Sequence, residues 1–184
     1  MPFDETSVRH ATVNDARHIA EVHVAGWQTT YHAILPPSVL EALSVEKREL
    51  FWKEMLLEPR TDLITLVACD PAGQVIGFAS GGAERTGRLP CDGELHAIYL
   101  LEAVRRQGLG TLLVRRLARE LETRGFSSMA VWVLALNPYR KFYEGLGAAV
   151  IGEKETELGG QSFVEIAYGW PDLSRLQRGL LDAN

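Results

Sequence analysis

Leucines at 109, 112, 113, 117 and 121 recur at the three- and four-residue spacing of one helical face, with arginine and glutamate filling many positions between them. Apolar runs of another kind flank that segment. Leu95-His96-Ala97-Ile98-Tyr99-Leu100-Leu101 precedes it and reads as a strand. Met129–Leu134 follows, uniformly apolar and rich in β-branched residues, as expected for a strand buried on both faces. Toward the amino terminus, residues 7–12 predict a first strand. Asn14 reads as the cap of a helix bearing Ile19, Val22, His23 and Trp27, which continues to about Tyr31 before Pro36-Pro37 breaks it. Residues 39–43 and Val45–Leu57 predict one further helical region, interrupted near Ser44, a cap for its second piece. Residues 62–68 and 74–81 predict a hairpin, because Asp70-Pro71-Ala72-Gly73 carries turn residues with proline in second place. Residues 84–92 are polar and glycine-marked, hence a loop. Two last strands, about Ala149–Leu158 and Gln161–Trp170, turn at Gly159-Gly160. The order is β-α-α-β-β-β-α-β-α-β-β, and the tail from Pro171 packs as a short helix or frays.

Length changes this picture little: 184 residues fit one domain, with a core over about 8–170 and a tail over 171–184. The formal net charge of −5 argues against a nucleic-acid partner. Residues 105–124 are the local exception, with six arginines and two glutamates, most of them expected to form solvated pairs along the helix. Cys69 and Cys91 lack metal-ligand spacing and form no disulfide framework, so no metal is expected. The opening residues Met1-Pro2-Phe3-Asp4-Glu5 contain no apolar signal core, and no run is long enough to cross a bilayer. The expectation is a soluble, cytoplasmic monomer or homodimer with no membrane partner.

Chemistry enters at Arg105-Arg106-Gln107-Gly108-Leu109-Gly110-Thr111, between the strand and the leucine-faced helix. The first N–H groups of a helix lack intrahelical partners and its dipole favours negative charge there, so this turn is an anion site. Gly108 and Gly110 remove Cβ atoms where a phosphate or pyrophosphate must come close to the backbone. A P-loop needs Gly-Lys-Ser/Thr, but Gly110 is followed directly by Thr111. A dinucleotide fingerprint needs a small residue where Leu113 stands, and an acid on the next strand. The pattern Arg/Gln-x-x-Gly-x-Gly/Ala fits Arg105 to Gly110 position for position. On these residues the chain resembles the GNAT superfamily of acyl-CoA-dependent N-acetyltransferases. A second segment, Asn137-Pro138-Tyr139-Arg140-Lys141-Phe142-Tyr143-Glu144-Gly145-Leu146-Gly147, is similar to that family's other signature. Asn137 is a good N-cap there, Pro138 suits the first helical position, and Gly147 is a plausible stop.

The resemblance implies the α/β (α+β) GNAT fold, a mixed central sheet of about six to seven strands flanked by about four helices. It implies acetyl-CoA as acyl donor, its pyrophosphate on the turn formed by Arg105, Arg106, Gln107, Gly108, Leu109, Gly110 and Thr111. Ile98, Tyr99 and Leu100 would lie along the pantetheine, the main chain at Ile98 and Leu100 pairing with it, and Asn137 would bond it. Tyr143 would stand beside the thioester as general acid. Two departures from the family pattern stand out: Glu102-Ala103 where a proline is common, and Arg106 where glycine is common.

Acetyl transfer to an amine also needs a base, since an alkylammonium has a pKa of about 10. Glu94 is the first candidate, placed by the period of two on the same strand face as His96 and Ile98. His96 is the second, and a water chain is the third. Trp27, Tyr31 and His32 are candidates for an aromatic wall of an amine pocket, with Glu84, Asp92 and Glu94 adding negative charge nearby. Trp27, Tyr31, Glu94 and His96 are therefore the expected acceptor-side residues. A small amine and a peptide amino group fit equally. The rival class is an acyl-CoA-binding regulatory protein without turnover, and the presence of both Glu94 and Tyr143 speaks against it.

Overall fold

The computed structural model describes residues 3–4, 7–57 and 62–178. Seven strands form one sheet: β1 (Val8–His10), β2 (Leu63–Cys69), β3 (Val75–Ala83), β4 (Gly93–Leu100), β5 (Met129–Leu134), β6 (Ala149–Leu158) and β7 (Gln161–Trp170). Their spatial order is β1-β2-β3-β4-β5-β7-β6. The helices are α1 (Ala16–Tyr31), α2 (Pro37–Glu41), α3 (Val45–Leu57), α4 (Leu109–Thr123), α5 (Lys141–Gly145) and α6 (Leu173–Arg178). Among the described residues no helix is long and apolar enough to cross a membrane.

The sheet is covered on both faces. Leu109, Leu113, Leu117 and Leu121 of α4 are fully buried against Ile64, Leu66, Leu95 and Met129 on one face. Ile19 and Ala20 of α1 and Trp52 of α3 cover Val67 and Phe78 on the other. Each fully buried leucine removes enough apolar surface from water to contribute about 2 kcal/mol, so the leucine face of α4 alone anchors the start of that helix firmly.

The mixed α+β order stands as expected, with the helical region after α1 divided into α2 and α3. Ser44 Oγ accepts the Lys47 N–H at 3.2 Å, so it caps α3 as expected. Two local expectations are corrected. Asn14 does not cap α1: the chain enters through a 3-10 turn, Val13–Asp15, and Asp15 accepts the Thr12 N–H at 2.7 Å and both ends of the Arg9 guanidinium at 2.8 Å. α5 starts at Lys141 rather than Pro138, because Asn137 Oδ1 accepts the Tyr139 N–H at 2.8 Å and caps a separate turn ahead of the helix. Its end is as expected: Gly147 has φ +83°, and the Ala148 N–H reaches back to Tyr143 O at 3.0 Å. The tail adds a sixth helix, α6, whose Leu173 and Leu176 are buried against α4; its expected continuation over 179–184 lies outside the described residues.

One junction positions everything downstream. β4 and β5 are parallel neighbours but pair only at Gly93↔Met129 and Glu94↔Ala130, and beyond that they diverge. Asp92 zips the base of this fork, taking the N–H and Oγ of Ser128 on Oδ1 at 2.9 and 2.7 Å and those of Ser127 on Oδ2 at 2.8 and 2.9 Å. Asp92 was expected to add charge beside the acceptor; it is a structural clamp instead. Burial raises its pKa, but the hydrogen bonds outweigh that and bring it from 3.8 to about 2. The clamp is therefore intact above about pH 4 and is lost as pH falls toward 2. Asp92→Ala is expected to lower stability by about 1–2 kcal/mol in urea unfolding at pH 7. The difference from wild type should shrink between pH 4 and 2; an unchanged pH 7 midpoint would show the clamp to be dispensable.

Candidate active site

The open end of the fork is a cavity of about 450 Å³. Its walls are Ile98, Tyr99 and Leu100 from β4, Val131 and Val133 from β5, and Tyr143 from α5. Gly108, Gly110 and Thr111 close one end at the start of α4. Arg105, Arg106, Tyr31 and Asn137 complete it. Two of the residues expected on the turn lie elsewhere: Leu109 is buried in the core, and Gln107 is exposed, its Nε2 donating to Ala103 O at 2.9 Å.

The turn has the backbone that an anion site requires. Gly108 stands at φ +86°, ψ −10°, a left-handed conformation that costs a residue with a Cβ about 1–2 kcal/mol. Gly110 meets a different demand: a Cβ there would lie 3.3 Å from Phe142 Cζ, so its absence lets α4 close onto α5. The Leu112 N–H closes onto Gly108 O at 3.0 Å, which makes Leu112 the start of the helical ladder from this cap. Arg106 also has positive φ, +60°, which explains why a glycine suits that position and what the arginine costs there. Arg105 is committed to the protein. It donates to Leu100 O at 3.2 Å, Tyr139 Oη at 3.0 Å and Thr29 Oγ1 at 2.6 Å, and lies over the Tyr139 ring. Tyr139, part of the second signature but given no role from sequence, is thus a strut between the turn and α5.

Three tyrosines from distant segments meet at this cavity: Tyr31 of α1, Tyr99 of β4 and Tyr143 of α5. Burial raises all three pKa values, so the phenols stay protonated at neutral pH and act as donors. Tyr31 Oη accepts Asn137 Nδ2–H at 3.0 Å, which links α1 to the second signature. Tyr143 packs among Phe142, Tyr168 and Trp170. Trp27, expected to line an amine pocket, instead packs edge-on against Tyr31 at 5.2 Å and lines neither cavity described here. His32 is exposed, its Nδ1 3.2 Å from Thr29 O.

A β-bulge interrupts β4. Ser80 pairs with Ala97 and Gly81 with Leu95, so His96 is an extra residue in β4. Strict alternation would put Glu94 and Ile98 on one face; with the bulge, Leu95 and Ile98 share the α4 face while Ala97 and Tyr99 face α1 and α3. Glu94 is buried, with 1% of its side chain exposed, and is fully engaged by Arg85. One oxygen accepts the Arg85 N–H at 3.0 Å and the other takes Nε at 3.2 Å and Nη2 at 2.5 Å. Arg85 sits in a loop without periodicity, and no signal in the sequence marks it as this partner.

His96 is placed otherwise. It lines the cavity in the fork and also a second cleft, of about 490 Å³, between α3 and the β3–β4 edge. Its Nε2 lies 3.2 Å from Ala83 O. A carbonyl only accepts, so Nε2 carries the proton in the neutral ring and Nδ1 keeps a lone pair. Burial, and then the nearby Arg85, lower its pKa. Among the described residues no group of three or more His, Cys, Asp or Glu side chains is arranged to hold a metal.

A family model described as FR47-like protein matches residues 83–157, which span the fork, the turn, α4 and the second signature. The crystal structure of the PaiA N-acetyltransferase from Thermoplasma acidophilum in complex with coenzyme A shares the fold, with TM-score 0.66 at 18% identity over 89% of this chain and 98% of that one. A GNAT superfamily phosphinothricin acetyltransferase from Sinorhizobium meliloti, in complex with AcCoA, gives TM-score 0.67 at 21% identity over 90% and 87%. Sequence similarity goes further: the chain is 43% identical over 171 residues to the uncharacterized N-acetyltransferase YuaI of Bacillus subtilis (strain 168), covering 93% of this chain and 96% of the relative. The chain belongs to the GNAT superfamily of N-acetyltransferases.

The turn of this acetyltransferase makes a contrast that stability measurements resolve. Gly108→Val places a β-branched residue at φ +86° and is expected to cost about 1–3 kcal/mol. Arg106→Gly relieves the neighbouring left-handed residue and is expected to stay within about 1 kcal/mol of wild type. Chemical denaturation of both variants checks this, and equal losses would show that backbone conformation does not govern the turn.

Proposed function

We propose that this acetyltransferase moves an acetyl group from acetyl-CoA to a primary amine by direct attack in a ternary complex. The observation that carries the reading is the fork. It opens beside a glycine-bearing helix start at one end and a cluster of protonated tyrosines along its wall. The residues present fit the donor. Backbone N–H groups at Gly108, Gly110 and Thr111 suit a pyrophosphate. Beyond Glu94 the β4 edge facing β5 has no strand partner, so the main chain of Ile98 and the N–H of Leu100 are free to pair with an extended pantetheine arm. Asn137 closes the far wall. When bound, the donor supplies a thioester, whose carbonyl carbon the amine nitrogen attacks as the C–S bond breaks.

The chain's own groups handle the protons. The acceptor attacks as the small neutral fraction of its amine, and His96 Nδ1 takes the proton that its nitrogen becomes acidic enough to release as the N–C bond forms; His96 stands where the fork cavity and the neighbouring cleft share a wall. Glu94 is assigned a positioning role, holding Arg85 beside His96, since its oxygens are engaged and it lines neither cavity. Tyr143 attends the departing sulfur. A thiol has a pKa of about 8.5, whereas a tyrosine starts near 10 and burial raises this one further. Full proton transfer from tyrosine to thiolate is therefore uphill. Tyr143 works as a hydrogen-bond donor that stabilises the leaving sulfur, and the sulfur takes its final proton from solvent.

Tyr143→Phe keeps the ring and its packing. It is expected to lower kcat about 10- to 100-fold, the worth of one hydrogen bond to a developing charge, with acetyl-CoA affinity retained in calorimetry. A normal kcat would make Tyr143 structural. In wild type, kcat/KM should fall as pH drops through a His96 pKa below 6.5, because protonation removes the base. His96→Gln should lose that limb and about 100-fold in rate. A retained limb would pass the role to another group.

A further inference from the structure

The cleft that meets the fork cavity at His96 and Ala97 has a chemistry of its own. Its apolar wall is Phe51, Trp52, Met55 and Leu63, and its volume of about 490 Å³ suits a small molecule. Its charges are Arg48, Asp62, Glu84 and Arg85, with His23 and His96 beside them.

Most of these groups are already engaged. Arg85 is paired with Glu94. Glu84 accepts the N–H groups of Thr86 and Gly87, at 3.0 and 2.5 Å, and the Thr86 hydroxyl, all from its own loop. Asp62 is likewise not free. His23 is held neutral, its pKa brought to about 3 by burial and then by Arg48, and its Nδ1 accepts Trp52 Nε1–H at 3.4 Å. His96 is neutral near pH 7. Arg48 differs: among the described residues it has no carboxylate partner, and its guanidinium meets the Phe51 ring face at 5.9 Å.

We propose that this cleft receives the acceptor and that Arg48 reads a carboxylate on it, so that the substrate is an amino acid with a compact apolar side chain. This rests on the acetyl-transfer reading above. An unpaired guanidinium beside an apolar wall matches an anion attached to an apolar body, and it repels a polyamine. The amine is then delivered to the His96 end, where Asp62 and Glu84 favour its positive charge before deprotonation.

Calorimetry tests this without turnover. L-leucine, L-methionine and L-phenylalanine, their carboxamides, and spermidine are titrated into the folded protein, with acetyl-CoA binding measured on the same sample. At least one of the three amino acids should bind about tenfold or more tightly than its amide. Arg48→Gln should abolish that preference, and Arg48→Lys should keep part of it. Arg48 is half-buried on α3 and outside the buried core, so these variants retain the fold. Equal binding of acid and amide, tighter binding of spermidine, or no binding of any amino acid overturns the proposal. If acetyl-CoA fails to bind while the Arg48-dependent preference survives, the acetyl-transfer reading fails and the carboxylate site stands.

Discussion

The fork between β4 and β5 is the constraint on which the rest depends. Two parallel strands that stop pairing after two residue pairs leave backbone donors and acceptors without a strand partner inside a covered sheet. Such groups cannot stay unpaired in a dry interior without cost, so the gap must be wet or hold an extended ligand. The divergence is possible because its base is clamped by Asp92 and the two serines, while α4 and its leucines hold the strand ends from one face. The turn from Arg105 to Thr111 is then delivered to the mouth of the gap by the length of β4 and the burial of Leu109.

Around this gap, burial sets the chemistry. Removing phenols from water makes them poorer acids and more reliable donors, which suits the stabilisation of a leaving thiolate. The same burial keeps His96 neutral and ready to accept a proton. The Arg85–Glu94 pair shows the opposite use of a buried charge. A carboxylate with 1% side-chain exposure is tolerable because an arginine and its own backbone N–H saturate it. That saturation fixes the loop that walls the cleft beside α3. Arg105 makes a similar commitment across the other side, tying the turn to α1 and to the turn ahead of α5.

The two cavities that meet at His96 thus differ in kind. The first is mostly backbone: glycine conformations, a helix start and an unpaired strand edge. The second is mostly side chains from segments far apart in the chain, with α3, β2, β3 and β4 each contributing to one cleft.

That difference governs what the chain alone discloses. Periodicity locates α4, β5 and the last hairpin, because a strand or helix with a buried face writes its period locally. Short-range backbone demands are equally visible: Gly108 and Gly110 after a strand mark the turn that opens α4, and Gly147 marks the end of α5. Features that depend on long-range partners are not. The bulge at His96 arises from pairing with β3, and it undoes the alternation that would align Glu94 with Ile98. Asp92 becomes a clamp because Ser127 and Ser128 reach it from across the fork, and Glu94 is engaged because a loop arginine folds onto it. The fold and the family are legible in the chain, since they rest on local periods and short motifs. Which charges are engaged and which remain open is set by the folded chain, because an ion pair between distant segments forms only once the sheet brings them together.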